Sequence, residues 1–80
     1  MFFLYIVKCE DNFLYTGITN NLRKRIKEHT LGVVPVTKNR GSIKLVYWEK
    51  FSSRIEAAKR EKEIKGWRRE KKEVLIKSFC

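Results

Sequence analysis

Cysteine and histidine are scarce in this chain: 80 residues contain two cysteines and one histidine. Two cysteines, Cys9 and Cys80, are too few for the disulfide framework of a small secreted protein, although they could pair with each other. With a single histidine they also exclude a structural zinc site of the four-ligand type. We therefore expect two reduced thiols in a cytoplasmic protein.

Long apolar segments are also missing. No run approaches the roughly 20 apolar residues of a membrane-spanning helix. The apolar start, residues 1–11 (MFFLYIVKCED), has neither a basic region nor a small-residue cleavage site, so it predicts a strand and not a signal peptide. We expect no membrane partner.

Acidic residues are few: nine Asp and Glu stand against 19 Lys and Arg, a formal net charge of +10. Nine bases and four acids lie in residues 1–51, and ten bases and five acids in residues 52–80, so each part carries +5. A domain that is basic throughout indicates an anionic partner, most often nucleic acid. The alternative is a lysine-rich surface that serves only solubility.

Hydrophobic patterning predicts one small α+β domain over residues 1–80, with a three-stranded, mainly antiparallel sheet flanked by helices in the order ββα-β-αα. The predicted strands cover residues 2–9, 13–18 and 43–51. The predicted helices cover about 21–31, 53–65 and 68–77. Gly32 is a natural stop for the first helix, and Ser53-Arg54-Ile55-Glu56 is a capping box that opens the second. Residues 32–42 form a loop.

The register of the first hairpin decides whether two tyrosines meet. A three-residue turn, in which Asn12 takes a left-handed conformation, would pair Tyr5 with Gly17 and place Tyr5 and Tyr15 on the same face. A two-residue turn would place them on opposite faces. The sequence leaves both registers open.

Two side chains of the first predicted helix project together. Asn20 or Asn21 is a good N-cap, and Arg25 and His29 follow at a spacing of four residues, one helical turn apart. They point toward whatever this helix packs on. The face that carries the tyrosines is one candidate.

Glu61 stands where the apolar stripe of the second helix predicts an apolar residue. A carboxylate that points inward is costly unless it is paired or binds a metal. The alternative is an ordinary ion pair with Lys65, four residues later.

Together these segments resemble the GIY-YIG nuclease superfamily, and in particular its small stand-alone bacterial members (YhbQ-like). The matching segments are Phe3-Leu4-Tyr5, Tyr15-Thr16-Gly17, the helix start Asn21-Leu22-Arg23-Lys24-Arg25, and Glu56-Ala57 followed by Glu61. The resemblance covers nearly the whole chain.

The resemblance implies an endonuclease that uses Mg²⁺ (or Mn²⁺) to hydrolyse DNA rather than RNA, including repair or recombination intermediates. Glu61 would hold the cation, and Arg25 would neutralise charge on the phosphate. Tyr5 or Tyr15 would orient or deprotonate the attacking water, with His29 assisting or serving as the base.

The resemblance gives two further residues a role in substrate positioning. Gly17 would let the backbone approach the substrate closely, because it carries no side chain. Asn21 belongs to the helix segment that matches the family.

Departures from the family pattern favour an alternative, a non-catalytic or weakly active nucleic-acid-binding module. Ile18 replaces a lysine found in several larger relatives, and Trp67 with a basic cluster lies where many relatives have an asparagine. Candidate phosphate contacts are Lys38, Arg40, Arg68, Arg69, Lys71 and Lys72.

We expect no separate targeting domain, so a protein partner or the chain's own surface would select the target. A third alternative is a basic accessory subunit of a protein or ribonucleoprotein assembly.

Overall fold

The secondary-structure elements follow the predicted order. The computed structural model describes residues 1–79. The strands are β1 (Phe2–Cys9), β2 (Leu14–Thr19) and β3 (Ile43–Phe51), and the helices are α1 (Leu22–Thr30), α2 (Arg54–Lys65) and α3 (Arg69–Phe79). The α+β class and the order ββα-β-αα are therefore confirmed.

Within the described residues, no helix combines the length and the apolar character that crossing a membrane requires.

The three strands form one antiparallel sheet in the order β2-β1-β3. The central strand β1 is covered on both faces, which explains its unbroken apolar run. A three-residue turn joins β1 to β2: Cys9 N donates to Phe13 O at 2.9 Å, and Asn12 has a φ of 70°. Cys9 is buried and free, whereas Cys80 lies outside the described residues.

One face of the sheet carries the hydrophobic core. Leu4 and Ile6 of β1 pack there with Ile64 of α2. The same cluster includes Leu14 and Tyr47, and the partly buried Trp67, Leu75 and Ile76 pack against it. Helices α2 and α3 therefore cover this face. Trp67, one of two tryptophans in the chain, contributes to the core rather than to an open surface.

The helix ends show the predicted capping. Asn21 is the N-cap of α1, and its side-chain oxygen accepts a hydrogen bond from Lys24 N at 3.0 Å. Gly32, with a φ of 75°, follows the end of this helix. Ser53 caps α2 by accepting from Glu56 N at 3.3 Å. These caps fix where both helices begin relative to the sheet.

The loop between α1 and β3 is anchored on the β1–β2 turn. Arg40 donates to Asp11 Oδ2 at 2.9 Å, and its guanidinium lies 3.9 Å from the centroid of the Phe13 ring. Thr37, in the middle of this loop, is buried. The anchored loop thereby covers the sheet face opposite Leu4.

Candidate active site

Tyr5 and Tyr15 lie on the same face of the sheet. Tyr5 pairs with Gly17 and Val7 pairs with Tyr15, which is the register of the three-residue turn. The centroids of the two tyrosine rings are 6.3 Å apart. Tyr5 has no solvent exposure, whereas Tyr15 is partly exposed.

The Tyr5 ring lies directly over Gly17. A Cβ atom at Gly17 would stand 2.7 Å from Tyr5 Oη and 2.8 Å from Tyr5 Cζ, closer than non-bonded atoms approach. The Tyr5 phenol can therefore occupy this position only because residue 17 has no side chain. The predicted function of Gly17 in positioning substrate stays a prediction.

Arg25 and His29 of α1 both reach the hydroxyl of Tyr5. Arg25 Nε donates to Tyr5 Oη at 3.3 Å, and His29 Nε2 lies 2.9 Å from the same oxygen. The His29 ring also packs against Tyr15, with centroids 5.5 Å apart. The two side chains therefore project together, as their spacing predicts, and the structure places them on the tyrosine face, which was one candidate.

Thr37 holds the other nitrogen of the His29 ring. Its Oγ1 lies 2.7 Å from His29 Nδ1 and donates to the carbonyl oxygen of Val34 at 3.4 Å. Because that carbonyl can only accept, the Thr37 hydroxyl accepts from Nδ1–H, and the lone pair of Nε2 faces the hydroxyl of Tyr5. We assign this tautomer since it gives every hydrogen in the chain of contacts an acceptor.

Sequence reasoning missed Thr37. It lies in a loop, eight residues from His29, and its local sequence Pro35-Val36-Thr37 carries no helix, strand or motif signal. Only burial distinguishes it: Thr37 is 2% exposed and His29 is 1% exposed. Burial of a loop residue depends on the fold around it.

Burial shifts the pKa values of Tyr5 and His29. It raises the pKa of Tyr5, an effect that the hydrogen bond from Arg25 partly opposes. Burial and the positive charge of Arg25 lower the pKa of His29 below its ordinary value of 6.5. His29 is therefore neutral near pH 7, and the lone pair of its Nε2 accepts the Tyr5 hydrogen bond. Both pKa shifts disfavour a standing pair of phenolate and imidazolium.

Glu61 reaches the same region from α2. Its negative charge contributes to the raised pKa of Tyr5, and its side chain is 21% exposed. Lys65 Nζ lies 3.2 Å from Glu61 Oε2 and 5.7 Å from the centroid of the Tyr15 ring. The inward carboxylate and the ion pair with Lys65 are thus both present.

Glu61 fits a divalent cation of the kind that binds few protein ligands. Within residues 1–79, no group of three or more His, Cys, Asp or Glu side chains could form an all-protein metal site. Mg²⁺ commonly binds through one or two carboxylates while it keeps water ligands and contacts substrate phosphates. Glu61 suits a cation shared with a phosphate in this way.

The remaining predicted residues lie elsewhere. Asn21 caps α1, Lys38 is exposed, and Arg40 is held against the β1–β2 turn. Helix α3 carries the basic cluster, which consists of Arg68 just before it and Arg69, Lys71 and Lys72, and it packs on the core through Leu75 and Ile76. In that cluster Arg69 lies 3.7 Å from Glu73, and Lys71 Nζ lies 4.3 Å from the centroid of the Trp67 ring. The structure does not bring these bases to the tyrosine site.

Comparison with known proteins agrees with this geometry. The family model described as the GIY-YIG catalytic domain matches residues 1–73. The chain therefore belongs to the GIY-YIG family.

Within that family the chain is similar to the small UPF0213 proteins. It is 51% identical over 79 residues to a UPF0213 protein of Clostridium perfringens, an alignment that covers 98% of this chain and 85% of the relative. It is 49% identical over 75 residues to a UPF0213 protein of Staphylococcus haemolyticus, with 92% of each chain covered. The solution NMR structure of a UPF0213 protein from Bacillus halodurans matches with a TM-score of 0.63 at 39% identity, over 96% of this chain and 84% of that one. The expected superfamily is confirmed.

Proposed function

We propose that this chain is a metal-dependent endonuclease that hydrolyses phosphodiester bonds in DNA. Mg²⁺ (or Mn²⁺) is its proposed cation, and repair or recombination intermediates are its proposed substrates. The observation that carries the proposal is the position of the Tyr5 hydroxyl between Arg25 Nε and His29 Nε2. We place the enzyme in the cytoplasm, with a protein partner as one source of target specificity.

The hydrogen-bonded chain supplies a route for one proton. Tyr5 O–H transfers its proton to His29 Nε2, while Nδ1–H remains bound to Thr37. In the same step the Tyr5 oxygen takes a proton from water, and the resulting hydroxide attacks phosphorus as the bond to the leaving oxygen breaks. A phenol alone, with a pKa of about 10, is a poor base at neutral pH. With His29 as the final proton acceptor, Tyr5 gives up its own proton as it takes one from water, so no free phenolate has to form.

Access to Tyr5 depends on Arg25. Tyr5 has no exposed surface, and the Arg25 guanidinium bonds to its hydroxyl. A substrate phosphate attracts Arg25, because bidentate guanidinium–phosphate contacts are strong. Movement of Arg25 toward phosphate uncovers the hydroxyl, so substrate binding exposes the base. Tyr15, already partly exposed, orients the water from the open side.

Glu61 is the residue that would hold the cation. When bound, a divalent cation polarises the scissile phosphate and stabilises the leaving oxygen. Lys65 must release the Glu61 carboxylate for this to happen, since the two form an ion pair at 3.2 Å.

The second candidate function is a nucleic-acid-binding module with little or no activity. Two observations favour it: Tyr5 is fully buried, and Glu61 is engaged by Lys65. Such a module would bind phosphates through Lys38 and the bases at 68–72.

Cleavage of labelled duplex, nicked, flapped and branched DNA, with Mg²⁺ or Mn²⁺, separates the two functions. Glu61→Gln and Arg25→Ala should each lower the cleavage rate by about 10²–10⁴-fold. Glu61→Gln should largely keep binding of the same substrates without metal, whereas Arg25→Ala should also weaken it, because Arg25 contacts phosphate. Lys62→Ala, an exposed change on the same helix as Glu61, should cleave like wild type.

Two comparisons sharpen that experiment. Tyr5→Phe should lose more activity than Tyr15→Phe, because only Tyr5 contacts His29 Nε2. Salt-dependent binding without metal-dependent cleavage on every substrate would reject the enzyme and leave the binding module. Reversing the charges at 68–72 should then weaken binding and flatten its salt dependence.

A further inference from the structure

A concave surface of about 360 Å³ opens beside α1, next to Arg25. Its charged lining consists of Lys24 and Arg25 of α1, Arg54 at the start of α2, and one acid, Glu28. Three positive charges therefore face one negative charge. Two residues that the sequence predicts for the active site, Arg25 and Asn21, line this surface. The predicted phosphate contacts are not in its lining: Lys38, Arg40, Arg68, Arg69, Lys71 and Lys72.

A second concave surface, of about 520 Å³, has no such excess of positive charge. Lys59 and Arg60 line it together with Glu56 and Glu63. Arg60 is already paired: its guanidinium lies 3.0 Å from Glu49 and 2.6 Å from Glu63. An anion is therefore expected at the first surface and not at the second.

Two cations of the first surface, Lys24 and Arg54, are available to a ligand. Within residues 1–79, neither Lys24 nor Arg54 forms an ion pair, and both are exposed. The surface also borders the N-terminal turn of α1, whose partial positive charge adds to theirs. Two unpaired cations on separate helices can contact one phosphate from two sides.

Arg25 joins this surface to the tyrosine site. Its Nε bonds to Tyr5 at 3.3 Å, and its Nη1 lies 3.1 Å from Glu28 Oε1. The Glu28 carboxylate therefore occupies a guanidinium edge that phosphate oxygens would otherwise take. Glu28 must give up this contact when a phosphate engages Arg25.

We propose that the concave surface is a second phosphate subsite, in which Lys24 and Arg54 bind the backbone phosphate that neighbours the scissile one. The ligand is a phosphodiester of a nucleic-acid strand, and Glu28 competes with it for Arg25. The strand then runs from Tyr5 across the junction of β2 and α1 toward Arg54, away from α3. The inference rests on the proposed function, since that function defines the scissile phosphate.

Binding without metal tests the subsite independently of cleavage. A fluorescently labelled DNA strand is titrated with protein over a series of salt concentrations in the presence of a chelator, and binding is followed by fluorescence anisotropy. Lys24→Gln and Arg54→Gln should each lower the slope of log K against log salt concentration by about one. Lys59→Gln, which removes an exposed lysine from the neutral surface, is the matched control and should lose less. Glu28→Gln should tighten binding.

Neutral phosphate analogues locate the contact along the strand. A methylphosphonate is placed at one position at a time, and wild-type binding should weaken most at one position beside the cleaved bond. Arg54→Gln should be insensitive at that position and normally sensitive elsewhere. Inorganic phosphate at matched ionic strength is the competitor, and displacement of the strand by it would assign the surface to free phosphate instead.

The outcomes separate the two proposals. If the salt slopes of Lys24→Gln and Arg54→Gln equal those of Lys59→Gln, or if every variant responds alike to each methylphosphonate, the subsite is wrong even where cleavage occurs. If the slopes and the positional response change as expected but no metal supports cleavage, the subsite stands and the endonuclease proposal fails.

Discussion

The hydroxyl of Tyr5 and Nε2 of His29 lie 2.9 Å apart, although the residues are 24 positions apart in the chain. A strand supplies the phenol and a helix supplies the imidazole, so the contact exists only when the hairpin and α1 pack together. Gly17 and Arg25 contact Tyr5, and Thr37 contacts His29.

Gly17→Ala should displace the Tyr5 ring. The added Cβ would lie 2.7 Å from Tyr5 Oη, and overpacking of this kind costs about 1–3 kcal/mol of unfolding free energy. We expect a lower midpoint in urea and a large loss of cleavage, because the displaced phenol no longer meets His29. Urea denaturation and cleavage rates measure the two effects.

Gly66→Ala is the control for this change. At Gly66 the nearest atom to an added Cβ is Glu63 O at 3.5 Å, an ordinary contact, and φ is −82°. Stability should stay within about 0.5 kcal/mol of wild type. Equal stability of the two alanine variants would show that the Tyr5 ring does not depend on the space over Gly17.

Thr37→Val should remove the group that fixes the tautomer of His29. It leaves a buried Nδ1–H without an acceptor, which costs about 1–3 kcal/mol, and it lets the proton move to Nε2. Long-range ¹H–¹⁵N spectra report which ring nitrogen carries the proton. Interpretation is direct because the chain has one histidine. Wild type should show Nδ1–H.

Thr37→Ser keeps the hydroxyl and should restore both the wild-type tautomer and most of the activity. A purely structural function of Thr37 predicts a different result: Thr37→Val would lose stability while its ¹⁵N shifts stayed those of wild type.

The elements that local chemistry determines were predictable from the sequence. The cap at Ser53, the left-handed Asn12 and the stop at Gly32 each depend on a few neighbouring residues. The hairpin register needed one further fact, the three-residue turn, which the sequence left open between two alternatives.

The site was predictable only in part because its contacts are tertiary. From the residue pattern of α2, Glu61 either points inward or forms an ion pair with Lys65. In the structure its side chain does both. The sequence predicts Arg40 as a phosphate contact in a loop, whereas in the structure the turn residues Asp11 and Phe13 hold its side chain. Thr37 carried no local signal at all.

The pKa of His29 should respond in opposite directions to two charge changes. Burial lowers this pKa most, and the positive charge of Arg25 lowers it further, while the negative charge of Glu28 raises it. Arg25→Gln should therefore raise the pKa toward 6.5, and Glu28→Gln should lower it further. An NMR titration of the single imidazole measures both. Shifts of the same sign in the two variants would contradict the assigned electrostatics.

The same pKa predicts how stability depends on pH. Because the folded-state pKa of His29 lies below the ordinary value of 6.5, the unfolded chain binds this proton first as pH falls. The unfolding free energy should thus decrease as pH drops from about 6.5 through the folded-state pKa. His29→Gln should lack this component, and an unchanged pH dependence in that variant would show that His29 does not supply it.

Lys65→Met should strengthen metal binding at Glu61. The Lys65 ammonium lies 3.2 Å from Glu61 Oε2, so a cation that binds this carboxylate must displace it. An ion pair at this helical spacing is worth about 0.3–0.5 kcal/mol, and its removal corresponds to a roughly twofold higher affinity. Calorimetric titration with Mn²⁺ measures the change, and Glu61→Gln should abolish the titrated site.

Lys62→Met is the matched control, since it removes the same charge from the same helix without touching the Glu61 ion pair. If both lysine variants bind Mn²⁺ equally more tightly, the effect is general electrostatics and not competition at Glu61. If neither changes the affinity while Glu61→Gln still abolishes binding, Lys65 already leaves the carboxylate free in solution. The ion pair would then no longer favour a weakly active binding module over the enzyme.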